Sequence, residues 1–125
     1  QALARISDDL GSQTSQIDRA QATGWLMFSQ TADDVFYRNK GLMYAYGIIL
    51  ASLGEDFSQV IQENNLGPIW EQALKSLRDG SQLRPAFVLN GRTDRSIFAN
   101  HLALQGFAMK RAILQLEELI IVLAI

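Results

Sequence analysis

The sequence predicts an all-α protein: an antiparallel bundle of four to five helices with an ordered non-helical connector near 84–99. Three observations carry that prediction. Apolar residues recur at three- and four-residue intervals through most of the chain, the period of a helix with a buried face. No segment sustains the strict alternation of a half-buried strand. Thr23-Gly24, Asn64-Asn65-Leu66-Gly67-Pro68 and Asn90-Gly91 punctuate the periodic runs where helices would have to stop.

The first helix follows from Leu3, Ile6, Leu10, Ile17 and Ala20, with Gln13 at the one polar seam position. Gly11 weakens it by about 1 kcal/mol relative to alanine, so a break there is an open alternative. The run Trp25-Leu26-Met27-Phe28-Ser29 is too short to assign by period and reads as a buried connector. Thr31 suits an N-cap, because its hydroxyl can accept from a first-turn amide. Val35, Phe36, Leu42, Met43, Tyr46, Ile49, Leu50 and Leu53 then give a second helix over about 31–53. On another face Gly47, Ala51 and Gly54 form a stripe of small residues, which lets a neighbouring helix approach closely. Residues 55–65 continue helically after a bend, with Phe57, Val60 and Ile61 expected inward. Gly67 is expected to bend the chain, and Pro68 suits a helix start because its missing N–H is not needed there. The next helix spans about 68–79, burying Ile69, Trp70, Ala73, Leu74 and Leu77, with Gly80 as a left-handed stop.

The final helix carries the strongest pattern. Leu102, Gly106, Met109, Ile113, Leu116, Ile120 and Leu123 alternate intervals of four and three, a seam suited to lengthwise packing on another helix. Phe107, Ala112 and Leu119 are expected to widen it. Together with Gly47, Ala51 and Gly54, this seam forms the predicted helix-packing interface. The connector before it, with Phe87, Val88, Leu89, Ile97 and Phe98, is expected to close one end of the bundle, and Asn100 or Ser96 to cap the helix.

Composition narrows the function classes. A chain of 125 residues with 48% hydrophobic and 19% charged side chains reads as one packed helical domain, 1–125. Eleven basic and thirteen acidic residues leave a net charge of -2, with no basic block to neutralise phosphates, so no nucleic-acid partner is expected. Without cysteine there are no disulfides, thiolate metal sites or cysteine nucleophiles. The longest strongly apolar run, Leu119 to Ile125, falls well short of the roughly 20 residues that cross a bilayer. The chain also begins at Gln1 without an initiator methionine. It is therefore expected to be an excised piece of a longer protein, itself soluble or peripheral, with a membrane anchor outside it left as an open alternative.

No catalytic constellation emerges. Asp94, Ser96 and His101 are suitable residue types for nucleophilic chemistry, but no glycine-serine-glycine elbow strains the serine into position. One histidine cannot build the paired Glu-x-x-His motifs of a di-iron bundle, so no metal or other cofactor is expected. The carboxylates Asp33, Asp34, Glu55, Asp56 and Glu63 read as solvated surface. A ligand-binding alternative uses Asn90, Asp94, Asn100 and His101 of the 87–102 stretch, facing a groove that Tyr37 and Tyr44 help to line. That alternative extends to hydrolysis by Asp94, Asn100 and His101.

Four stretches carry a family resemblance: "DDVFYRNKGLMYAYGIILASLGEDF" (33–57), "NNLGPIWEQALKSL" (64–77), "PAFVLNG" (85–91) and "NHLALQGFAMKRAILQLEEL" (100–119). In that order, over about two-thirds of the chain, they resemble the C-terminal part of an uncharacterised bacterial family, domain of unknown function 2333. Its most distinctive features are Phe36-Tyr37 with Gly41 and Tyr44, Asp56-Phe57, Asn90-Gly91 and Asn100-His101-Leu102. The resemblance implies a Gram-negative envelope protein with an N-terminal membrane span, its soluble part periplasmic; a cytoplasmic soluble part is the alternative. It implies no activity. The expected role is a non-enzymatic helical interaction module, with a protein partner or self-association through the final helix.

Overall fold

The computed structural model describes residues 1–22, 31–84 and 95–124, without the side chains of 20–22, 31–33 and 95–101. Every described element is a helix: α1 Ala2–Ala22, α2 Thr31–Asp56, α3 Ser58–Glu63, α4 Gly67–Gln82 and α5 Arg95–Leu123. The all-α bundle expected from periodicity is what forms.

Facing pairs give the topology. Met43 meets Gly80, Gly47 meets Leu77 and Gly54 meets Trp70, so α2 and α4 run antiparallel. Gly80 also meets Ala108, while Ser76 meets Gln115, which makes α4 and α5 antiparallel. Tyr46 reaches Asp9, a contact that the short span from Ala22 to Thr31 permits only if α1 turns back along α2. Helix α1 therefore runs opposite to α2 and to α5, where Gly106 lies against Ile17. The four long helices thus form an up-down-up-down bundle, the topology short connections favour. Helix α5 lies between α1 and α4, and α2 packs on α4.

Helix α1 passes unbroken through Gly11. Leu10 and Thr14 are buried on either side of it, and the hydroxyls of Thr14 and Ser15 donate to the Gly11 carbonyl at 2.8 and 3.1 Å. Tertiary burial outweighs the weak propensity of one glycine.

Helix α2 runs beyond its predicted end, to Asp56, and yields to α3 through Phe57. The kink costs little hydrogen bonding: Phe57 N–H still donates to Leu53 O at 2.9 Å, and Phe57 O still accepts from Ile61 at 3.0 Å. Of the three residues expected inward here, only Ile61 is buried. Phe57 and Val60 are exposed, because the kink turns α3 so that one of its faces alone reaches the bundle.

The bend before α4 belongs to Asn65, not Gly67. Asn65 has φ 54°, and Gly67 is already the first helical residue, with Pro68 second. Asn65 N–H donates to Gln62 O at 3.1 Å and Leu66 N–H to Ile61 O at 2.8 Å, the paired bonds of a Schellman motif. The buried side chains of Ile61 and Leu66 supply its usual hydrophobic contact. Asparagine tolerates the left-handed conformation better than most residues, which is why glycine is not required.

Gly80, expected as a helix stop, lies inside α4 and is buried. A Cβ there would collide with the Met43 sulfur and sit 2.6 Å from its methyl carbon. This glycine makes room for Met43 between α4 and α5, and α4 continues to Gln82. Helix α5 likewise starts earlier than expected, at Arg95, so 95–99 are helical and not connector. Ser96 and Asn100 are therefore inside the helix and cannot be its N-cap.

The core follows the α5 seam. Leu102, Met109, Ala112, Leu116 and Leu119 are buried against Ile6, Leu10 and Ile17 of α1, Met43 and Leu50 of α2, and Ala73 and Leu77 of α4. Burying a leucine side chain is worth about 1.5–3 kcal/mol, so this stripe dominates the stability of the bundle.

Candidate functional site

Buried polar side chains are few among the described residues. Gln105, fully buried on α5, donates from Nε2 to Phe36 O at 2.8 Å and accepts from Asn39 Nδ2 at 3.4 Å. Asn39 is equally buried, and its Oδ1 has no partner among the described residues. Ser76 meets Gln115, whose amide nitrogen, turned inward, faces Ser76 Oγ at 2.8 Å and the Gln72 and Arg111 carbonyls at 3.1 Å. These contacts tie α5 to α2 and α4. At the looser α1–α2 side, the Tyr46 hydroxyl donates to the Asp9 carboxylate. Burial, that hydrogen bond and the Asp9 charge together push the Tyr46 pKa up to about 12, against the opposing charge of Arg5.

Two surface features stand out. The first is a groove of about 710 Å³ between α2 and α4, lined by Lys40, Tyr44, Ile48 and Ala51 on one side and Leu74, Arg78 and Arg84 on the other, with Met43 and Gly47 on its floor. The second is on α5. Leu104, Phe107, Leu114 and Ile121 are 53–65% exposed and form a ridge on the side of the helix away from its buried seam. The Arg111 guanidinium lies 5.2 Å from the Phe107 ring centre and continues the ridge. Phe107 was expected to widen the inner seam; it lies about half a turn away and faces out instead.

The predicted ligand-binding residues do not gather in one described place. Tyr37 and Tyr44 are 54% and 64% exposed; Tyr44 lines the α2–α4 groove, whereas Tyr37 stacks edge-on against Phe36 at 5.3 Å. Asn90 and Asp94 lie outside the described residues, as does the run 25–29. Asn100 and His101 belong to the first turns of α5, their side chains not described. Among the described residues no group of three or more metal-ligating side chains gathers.

For the predicted packing residues, Leu102, Gly106, Met109 and Leu116 are buried, Ile113 and Ile120 half-buried, and Leu123 is exposed at the end of α5. Gly47 and Gly54 face α4: a Cβ at Gly54 would lie 2.6 Å from the Trp70 indole nitrogen. Ala51, between them in sequence, is exposed and lines the groove. Sequence reasoning missed the cations Lys40, Arg78 and Arg84. Their signal was available, since Lys40, Tyr44, Ile48 and Ala51 share one side of α2, but only the antiparallel register joins them to α4.

No described helix is long and apolar enough to cross a membrane. Comparison with known proteins finds no match among curated proteins or solved structures. A family model described as "Uncharacterized protein conserved in bacteria (DUF2333)" matches residues 2–122, which includes α1 as well as the four stretches that carry the resemblance. From α1 to the last turn of α5, this chain belongs to that bacterial family of uncharacterised proteins.

Proposed function

We propose that the chain is a non-enzymatic helical interaction module of the bacterial cell envelope, tethered by a membrane segment outside it and acting by contact with a protein partner. The ridge on α5 carries this reading. Leu104, Phe107, Leu114 and Ile121 are spaced for helix packing, yet the rest of the described chain leaves them in water. An exposed aromatic side chain with an arginine across it, flanked by aliphatic residues, has the composition of an interface centre. The envelope placement is supported by what the family resemblance implies.

A photo-crosslinking side chain placed at Leu114 of the full-length protein, in its own bacterium, tests the proposal. The expected result is a discrete adduct with one protein, lost when Leu104 and Phe107 are changed to serine. Sedimentation of the isolated chain shows whether that protein is a second copy. An absent adduct, or one indifferent to those substitutions, counts against the reading.

A further inference from the structure

The groove between α2 and α4 is chemically one-sided. Because the two helices run antiparallel with Met43 opposite Gly80, Lys40 comes level with the end of α4, where Arg78 and Arg84 also line the groove. Further along, the lining turns apolar, with Ile48, Ala51 and Leu74. From Lys40 to Ala51 the groove follows α2 for about 16 Å, at 1.5 Å of rise per residue.

The three cations make no ion pair among the described residues. Elsewhere on the bundle the pattern differs: Lys75 and Arg111 both approach Asp79, at 2.6 and 3.8 Å, and Lys110 approaches Asp18 at 3.3 Å. A chain of net charge -2 therefore gathers, at one end of this groove, positive charge that has no ion-pair partner among the described residues. Its volume, about 710 Å³, lies within the range of small-molecule sites.

We propose that this groove binds a single-chain amphiphile with an anionic head, its carboxylate or phosphate held by Lys40, Arg78 and Arg84 and its chain lying over Ile48 and Leu74 toward Ala51. Charge complementarity selects the head, and the apolar lining favours the tail through removal of both surfaces from water. Among the described residues no charged side chain lines the far end, which argues against a ligand charged at both ends. This site lies on a different face from the α5 ridge, so either can fail without the other.

Calorimetric titration of the 125-residue chain with monomeric dodecanoate and dodecyl phosphate, below their micelle concentrations, tests it. One molecule should bind per chain. Binding should weaken by about tenfold for each of Lys40→Ala and Arg78→Ala, as expected for loss of a charge-assisted hydrogen bond. Butyrate and dodecyl maltoside should each bind at least about tenfold more weakly, lacking tail and charge respectively. Ala51→Trp, at an exposed position, should block the tail without altering the thermal transition. The proposal is overturned if neither anionic probe binds, if the maltoside binds equally well, or if the alanine and tryptophan variants bind as the parent does. Binding confined to anionic phospholipid vesicles, with none of the monomeric probes, would also overturn it in favour of a membrane-surface contact.

Discussion

Helices α4 and α5 solve the same packing problem with different patterns. Helix α4 separates its residues cleanly: Trp70, Ala73, Leu77 and Gly80 face the bundle, while Glu71, Gln72, Lys75 and Arg78 face water. Helix α5 is apolar on two opposite sides. Leu102, Met109 and Leu116 are fully buried, and Leu104, Phe107, Leu114 and Ile121 stand exposed behind them. Helix α2 resembles α5, with Phe36, Met43 and Leu50 inside and Tyr37, Tyr44 and Ile48 outside. A surface helix needs one apolar stripe to join a core. The fold therefore explains all of α4 and only half of α2 and α5, and the unexplained halves hold the groove and the ridge.

The largest expected effect separates the two sides of α5 directly. Leu116→Ala should lower the unfolding free energy by about 2–5 kcal/mol through lost burial and a cavity, whereas Leu114→Ala should stay within about 0.5 kcal/mol. Urea denaturation of the two variants measures the contrast; equal losses would erase the distinction between seam and ridge. Next in size, Gln105→Leu should cost about 1–3 kcal/mol, because the buried amide of Asn39 loses its acceptor. A neutral outcome in the same assay would show that the polar pair contributes nothing to the inner face. The smallest effects compare glycines within α2. Gly54→Ala drives a methyl into the rigid indole of Trp70 and should destabilise by about 1–2 kcal/mol after the gain in helix propensity. Gly41→Ala, with nothing within 4 Å of the new carbon, should stabilise by about 1 kcal/mol. Thermal unfolding should move the two melting temperatures in opposite directions, and a shared sign would mean that the facing of α2 is misassigned.

This contrast also marks where the sequence was legible. Spacing was enough for the four long helices and for the seam of α5, because periodicity reports a face directly. It could not rank two stripes on one helix, so Phe107 was placed on the wrong side. Glycine was ambiguous for a related reason. Gly80 can stop a helix or admit a neighbour, and only the position of Met43 decides between them. At Asn65 the reverse occurred: the left-handed turn fell to asparagine while a glycine stood two residues away. Of the groove, Tyr44 was foreseen but its cations were not, since Lys40, Arg78 and Arg84 become neighbours only through the pairing of α2 with α4.

A repeating ridge has one weakness, which the buried amide of Gln105 corrects. Any heptad seam can slide along its groove by seven residues and still present apolar knobs. Displaced by one such step, α5 would bring Ala112 or Phe98 opposite the Phe36 carbonyl and the Asn39 amide. Neither side chain can donate or accept there, so the misaligned bundle would leave the Asn39 amide without its acceptor in a dry interior. Gln105 thus works as an indexing pin: it admits one alignment of the last helix and penalises its translational neighbours.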